Sequence, residues 1–171
     1  MRTAIAFLLL ATASCDGRPA HDAPLSTVPP FELAEGQELV ATCGSSKGHA
    51  YYLRIGIPKD KAGWDEDRIS KGYFYVIKQP SGYDVVFRDA TGRRMSAVGD
   101  GATVQKFRQG PSDIAFAVTY QDGAKTAEIY TLYREDDGVE RFTNLVSKGG
   151  EGPIHKSGVM TGLCRGLNLD A

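Results

Sequence analysis

Glycine-bearing turns recur along most of the chain and separate short runs that are rich in β-forming residues. They occur at Gly82, Gly92, Gly101, Gly110, Gly123 and Gly138, which lie 9 to 15 residues apart. This spacing is typical of consecutive β-hairpins. We therefore expect an all-β protein whose strands form an antiparallel up-and-down meander, without a capped amphipathic helix between Tyr73 and Cys164.

Within these runs, side chains alternate in the way that a strand requires, because successive residues of a strand point to opposite faces of the sheet. Three runs show the pattern clearly. One face of the first run carries Tyr83, Val85 and Phe87. One face of the second carries Ile114, Phe116, Val118 and Tyr120, and one face of the third carries Ala127, Ile129, Thr131 and Tyr133.

Two segments depart from the alternation. The pattern loses its phase between Val104 and Phe107, which predicts a β-bulge near Gln105 and Lys106. Residues 63–69 are rich in acidic side chains, and they are the one place where we expect a short helix or turn.

The N-terminus has the layout of a secretory signal. Arg2 precedes an apolar run from Ala4 to Ala13, and small residues then lead to Cys15. The run is shorter than the roughly 20 residues that a membrane-spanning helix needs, but it suits a signal core of about 7–15 residues. The pattern resembles a bacterial lipoprotein signal, in which Cys15 would be the lipidated, palmitate-bearing first residue. The alternative is an ordinary secretory signal that is cut elsewhere.

The lipoprotein resemblance implies a signal peptide over residues 1–14 and a protein anchored by its N-terminal lipid to a bacterial cell-envelope membrane facing the periplasm. Asp16, directly after the cysteine, favours the inner membrane. Four prolines between Asp16 and Ala34 keep this stretch extended. We therefore expect a tether over residues 15–34 and a single β domain over residues 35–171.

Once Cys15 is assigned to lipid, Cys43 and Cys164 remain as an even pair in an oxidising compartment. We expect them to form a disulfide, the alternative being two unrelated buried thiols. Cys43 follows the apolar segment 39–41, and Cys164 lies at the end of the last strand-like segment. A bond between them would bring the two terminal strands together, so the meander would form a small barrel or a strongly curved sandwich.

Composition argues against several classes of partner. The chain has 20 basic and 21 acidic residues, a net charge of −1. Without a basic excess, we expect no binding of nucleic acid and no binding of an anionic membrane through surface charge. We expect no metal, because the two cysteines lie far apart and no histidine pair has ligand spacing. No cofactor is expected.

One polar cluster offers the side chains of an activated nucleophile. Ser46, Lys47 and His49 supply a hydroxyl, an amine and an imidazole. Their spacing differs from the Ser-x-x-Lys pair of known hydrolases. A turn that leads into an aromatic strand is the simpler interpretation.

The tripeptide Ser-Lys-Gly occurs three times and places Lys47, Lys71 and Lys148 in candidate turns. Gathered at one rim of a barrel, these lysines would bind an anionic group through their charge and the neighbouring glycine N–H groups. Ordinary turn and strand-edge chemistry accounts for the same residues.

Residues 41–52, the dipeptide Gly63-Trp64 and residues 160–165 resemble a group of uncharacterised small exported bacterial proteins. The resemblance implies an exported domain with paired cysteines, and it brings no catalytic residue. We therefore expect a lipid-anchored envelope domain with a non-catalytic binding or structural role, whose partner is a small molecule or an envelope protein. The alternatives are a small-ligand carrier with an apolar cavity inside the barrel, and a hydrolase that uses Ser46, Lys47 and His49.

Overall fold

A computed structural model describes residues 25–56, 62–88, 92–121, 123 and 125–171 of the chain. Antiparallel strands make up most of these residues. Ten strands occur in these ranges. They are β1 (Glu38–Gly56), β2 (Gly63–Ile69), β3 (Tyr73–Gln79), β4 (Gly82–Arg88), β5 (Arg94–Ser96), β6 (Ala102–Gln109), β7 (Asp113–Tyr120), β8 (Thr126–Arg134), β9 (Glu140–Lys148) and β10 (Ile154–Arg165). The all-β prediction is confirmed.

The strands form one curled sheet, a half-barrel, in the order β5-β4-β3-β1-β10-β9-β8-β7-β6. Apart from β2, which pairs with β1, this is a meander whose first and last strands are neighbours. The two ends of this strand order are β5 and β6, which follow one another in the chain. A tight turn joins them, in which the Ala102 amide donates to the Ala97 carbonyl at 2.8 Å. The predicted curved meander is therefore confirmed.

The disulfide between Cys43 and Cys164 joins β1 to β10, as predicted. The two residues are direct cross-strand partners, and their Cα atoms lie 4.0 Å apart. Both cysteines are buried in the core. The bond fixes the junction that brings the N-terminal and C-terminal halves of the meander into one sheet.

Glycines allow β1 and β10 to approach closely. A Cβ atom at Gly48 would overlap the carbonyl of Val159, and one at Gly162 would overlap both the carbonyl of Ser45 and the ring of Phe142. These positions therefore require glycine for steric reasons.

The main core fills one end of the half-barrel. Phe142 is packed edge-to-face against Phe74, with ring centroids 4.8 Å apart. The C-terminal segment folds over this end, where Ala171 is buried and its carbonyl accepts hydrogen bonds from Tyr83 Oη at 3.0 Å and Lys106 Nζ at 2.9 Å. The inner-face apolar side chains include Val85, Ile114, Phe116, Val118 and Leu132.

A second, smaller core lies on the outer face of β3 and β4, where residues 25–31 pack against the sheet. Val28 is buried there, and the Phe31 ring lies 4.8 Å from that of Tyr75. Arg165 donates hydrogen bonds to the carbonyls of Leu25 at 2.9 Å and Val28 at 2.7 Å. This part of the predicted tether thus packs on the domain, while residues 1–24 lie outside the described residues.

Local predictions had mixed outcomes. The expected helix or turn at residues 63–69 is wrong, because this segment is strand β2 and pairs with residues 46–52 of β1. The expected turn around Ser46 is also wrong, because β1 runs through it with only a register shift between Cys43 and Ser46. The predicted bulge in β6 is confirmed, one residue later, between Lys106 and Arg108.

Candidate functional site

A cavity of about 390 Å³ opens at the end of the half-barrel opposite the C-terminal segment. We call it the inner cavity. Its lining comes from β1, β3, β4, β8, β9 and β10, from the last two residues of β2 and from the turn between β2 and β3. The lining residues are Gly44, Ser46, Arg68, Ile69, Ser70, Gly72, Tyr73, Phe74, Phe87, Arg88, Glu128, Tyr130, Phe142, Asn144, Val146, Lys148, Lys156 and Met160.

Strand register places the polar lining residues in rows across β8, β9 and β10. Lys148 pairs with Lys156 nearest the opening, and one row deeper Glu128 lies opposite Val146. The next row places Tyr130 opposite Asn144. Since side chains two residues apart share one face of a strand, these rows all project into the cavity.

The Tyr130 hydroxyl donates a short hydrogen bond to the Glu128 carboxylate. Burial raises the pKa of Glu128, and the hydrogen bond from Tyr130 and the charge of Lys148 oppose that rise. Burial also raises the pKa of Tyr130, and the charge of Glu128 raises it further. The pair is therefore a carboxyl group and a neutral phenol held together in a poorly hydrated place.

Asn144 has an unused hydrogen-bond donor inside the cavity. Its side chain is only 4% exposed, and within the described part of the chain its Nδ2 atom has no hydrogen-bond partner. The amide lies close enough to favour the charged form of Glu128, but outside hydrogen-bonding geometry. An unmet buried donor costs about 1–3 kcal/mol, so this position favours a bound acceptor.

Basic residues surround the opening. Lys156 forms an ion pair with Asp67 of β2, and Arg88 donates hydrogen bonds to Tyr73 Oη at 3.1 Å and to the Gly92 carbonyl at 2.9 Å. Lys148 forms no ion pair with any residue that the structure describes. Lys148 is therefore a cation at the opening whose charge acts on Glu128 but is not neutralised by an ion pair with a described residue.

Apolar side chains form the remainder of the wall. Phe74, Phe87 and Phe142 line the cavity together with Val146 and Met160. Polarisable and aromatic groups of this kind contact the hydrocarbon or ring portion of a ligand. With polar groups at defined points, the wall has the composition of small-molecule sites.

Ser46, Lys47 and His49 do not converge. Ser46 lines the inner cavity, where its hydroxyl lies 3.6 Å from the Met160 sulfur. Lys47 and His49 occupy the opposite phase of β1, and His49 is exposed beside Val159. Strand alternation thus directs the hydroxyl and the two nitrogen-bearing side chains to different faces of the sheet.

The three lysines of the Ser-Lys-Gly repeats occupy different settings. Lys148 lines the inner cavity, and Lys71 is exposed in the turn between the lining residues Ser70 and Gly72. Lys47 lies in the middle of β1, paired with Arg68 and Thr161. Lys148 is therefore the repeat lysine that belongs to the cavity, and Lys156 rather than Lys47 is its neighbour.

A second, shallower groove of about 460 Å³ lies on the outer face of the same strands. Trp64, which is 72% exposed, contacts Tyr51 with ring centroids 5.6 Å apart. Ile129, Leu145 and Val159 continue this exposed apolar surface across β8, β9 and β10.

Among the described residues, no group of three or more histidine, cysteine or acidic side chains is placed to hold a metal ion. Over the same ranges, no helix has the length and apolar character that crossing a membrane requires. Cys15 lies outside the described residues.

The polar residues of the inner cavity were missed by the sequence analysis, although one signal was present. Asn144 lies midway between Phe142 and Val146, two apolar residues of the same strand phase. A polar residue in such a position is buried, and a buried amide needs partners.

Comparison of the chain with protein-family models, with curated proteins and with solved structures found no match. The resemblance to small exported bacterial proteins therefore stays a prediction.

Proposed function

We propose that this protein binds a small amphiphilic molecule in the inner cavity. The observation that carries the proposal is Asn144, a buried amide whose Nδ2 donor has no partner among the described residues, in a cavity with an aromatic wall and an open end. A ligand with an oxygen or nitrogen acceptor would satisfy this donor, and its apolar part would pack against Phe74, Phe87 and Phe142. This is the carrier alternative, with a cavity that is polar at depth rather than wholly apolar.

The side-chain geometry supports binding over hydrolysis. The Ser46 hydroxyl faces the Met160 sulfur, whereas Lys47 and His49 lie on the other face of β1. A serine nucleophile needs a base within hydrogen-bond reach. The Glu128 carboxylate is already engaged by the Tyr130 hydroxyl, so the polar groups of the cavity are suited to holding a ligand.

We further propose that the domain works at the surface of a bacterial envelope membrane, facing the periplasm and anchored through a lipid on Cys15. The signal-like N-terminus and the prolines that follow it support this location. The disulfide between Cys43 and Cys164 agrees with an oxidising compartment. A membrane location would give the domain access to amphiphilic molecules.

Native mass spectrometry of the protein purified from its own envelope tests the binding proposal. We expect the wild-type chain to carry an additional non-covalent mass. Val146→Phe would fill the cavity from β9 and should lose that mass. Leu145→Phe is the matched control, because Leu145 is the neighbouring residue on the outer face and is exposed.

Two results would contradict the proposal. One is a wild-type protein that never carries a bound molecule and also fails to take up added amphiphiles. The other is a bound mass that Val146→Phe retains while Leu145→Phe loses it, because that result would assign binding to the outer groove.

A further inference from the structure

We infer that the ligand of the inner cavity is an anionic amphiphile, with an acidic head at Lys148 and an oxygen acceptor at its far end that binds Asn144 Nδ2. The inference rests on the proposed function and adds the chemical class of the ligand. Its first basis is the strand that carries both residues. Lys148 and Asn144 lie four residues apart on one face of β9, about 13 Å along a strand.

The direction of the ligand follows from the two ends of the cavity. Lys148 ends β9 at the open mouth, whereas Asn144 lies two rows deeper, next to Phe142 of the core. A charged head placed at the mouth stays near water. The deeper end of the ligand then meets the Asn144 Nδ2 donor, which a hydroxyl or carbonyl oxygen satisfies.

The sign of the head group follows from the charges that line the mouth. Lys148 and Lys156 line the cavity as neighbours on β9 and β10, and the carboxyl group of Glu128 lies one row deeper. Asp67 neutralises Lys156 from β2, and Lys148 has no ion pair among the described residues. A cationic head would be repelled by Lys148, whereas a carboxylate or phosphate head would be attracted by it.

The middle of the cavity determines the body of the ligand. Between the rows of Lys148 and Asn144, the β9 side chain is Val146, and the opposite walls supply Phe74 and Phe87. Glu128 lies beside Val146 on β8, where the Tyr130 hydroxyl already binds its carboxylate. A hydrocarbon chain or an apolar ring system fits this stretch, because its surface needs no hydrogen bonds from the phenylalanine rings. The mouth, the middle and the deep end of the cavity together fit a ligand that has an apolar body, an acid at one end and an oxygen acceptor at the other.

The test uses the full chain and calorimetric titration with four probes, namely decanoate, 1-decanol, decylamine and ω-hydroxydecanoate. We expect decanoate to bind at least about tenfold more tightly than 1-decanol or decylamine, a ratio that corresponds to about 1.4 kcal/mol. We also expect ω-hydroxydecanoate to bind several-fold more tightly than decanoate, because its terminal hydroxyl reaches Asn144.

Three variants assign these preferences to residues. Lys148→Met should remove the preference for decanoate over 1-decanol. Lys71→Met is the matched control, because it removes an equal charge near the mouth from a residue outside the lining, and it should keep that preference. Asn144→Leu should bind decanoate with normal affinity but should lose the gain in affinity that the ω-hydroxyl gives. The variant should fold, because the change removes a buried donor that has no partner among the described residues.

The outcomes separate this inference from the proposed function. Equal affinity for the acid, the alcohol and the amine would overturn the inference but leave ligand binding in the cavity intact. An acid preference that the Lys148→Met variant retains would have the same consequence. Failure of all four probes to bind a chain that also carries no native ligand would overturn both. An acid preference lost only in Lys148→Met, with a hydroxyl gain lost only in Asn144→Leu, supports both.

Discussion

Tyr130 donates its hydroxyl hydrogen bond to the carboxylate of Glu128, the residue two positions earlier on the same face of β8. Both side chains line the inner cavity. Because strand neighbours of the same phase point in one direction, β8 delivers an acid and a phenol to the cavity as a preassembled pair. Tyr130 shares its row with Asn144, and Glu128 lies one row nearer the opening, so three polar side chains of two strands form one polar site.

The buried carboxyl group should make stability depend on pH. Burial raises the folded-state pKa of Glu128, so the folded protein holds this proton more tightly than the unfolded chain. The free energy of unfolding therefore falls as pH rises from the ordinary glutamate pKa of about 4.3 through the raised folded-state pKa. We expect Glu128→Gln to raise the thermal midpoint at about pH 8 and to leave it unchanged below about pH 4.

The control for this experiment is Glu151→Gln, which alters an exposed carboxylate in the turn before β10. Its midpoint should follow that of the wild type at every pH. A Glu128→Gln variant whose midpoint falls at high pH would show that the carboxylate stabilises the fold, contrary to this account.

The disulfide should contribute strongly to stability. Cys43 and Cys164 are 121 residues apart in sequence, so their bond closes a long loop of the unfolded chain. We expect the Cys43→Ala, Cys164→Ala double variant to lose about 2–5 kcal/mol in the free energy of unfolding. Reduction of the wild type should give a similar loss, measured by chemical denaturation. Equal stability of the oxidised and reduced proteins would contradict the structural role of this bond.

The close approach of β1 and β10 should make Gly162 intolerant of substitution. A Cβ atom at this position would overlap the Ser45 carbonyl and the Phe142 ring. We expect Gly162→Ala to destabilise the protein by about 1–3 kcal/mol in thermal or chemical unfolding. Gly149→Ala is the control, because a Cβ atom there meets only His155 at 3.5 Å, and its effect should stay within about 0.5 kcal/mol. Equal effects of the two changes would refute the steric argument.

Lipidation of Cys15 is tested at the N-terminus of the mature chain. We expect mass spectrometry to find acyl groups on Cys15, because its position after a short apolar run is that of a lipoprotein signal. Cys15→Ala should abolish the modification, whereas the double replacement of Cys43 and Cys164 should leave it in place. A mature chain that begins after Cys15 would contradict the lipid anchor.

The architecture was predictable from sequence because its determinants are local or covalent. Glycine turns set the hairpins, and the pairing of Cys43 with Cys164 required the first and last strands to be neighbours. Strand β2 was not predictable in the same way. Asp65 and Glu66 give it the composition of a loop, and it becomes a strand because the second half of β1 offers an edge for pairing.

The cavity residues were not predictable from the apolar pattern for a different reason. In β8 the visible alternation of Ala127, Ile129, Thr131 and Tyr133 belongs to the outer face, whereas the inner face carries Glu128 and Tyr130. Assigning the apolar residues of β8 to the interior therefore predicts the wrong inner face for this strand. Departures of this kind are expected where a site, rather than a packed core, lines the interior.

The most direct test of ligand binding at Asn144 is the side-chain amide resonance of this residue in a proton–nitrogen NMR spectrum of the full chain, recorded during titration with ω-hydroxydecanoate. We predict a saturable downfield shift of the Asn144 amide as its donor gains an acceptor. The Asn168 amide, which already donates to Glu38 at 2.5 Å, is the internal control and should stay unchanged. An unchanged Asn144 resonance at concentrations that saturate binding, or equal shifts of both amides, would contradict the account.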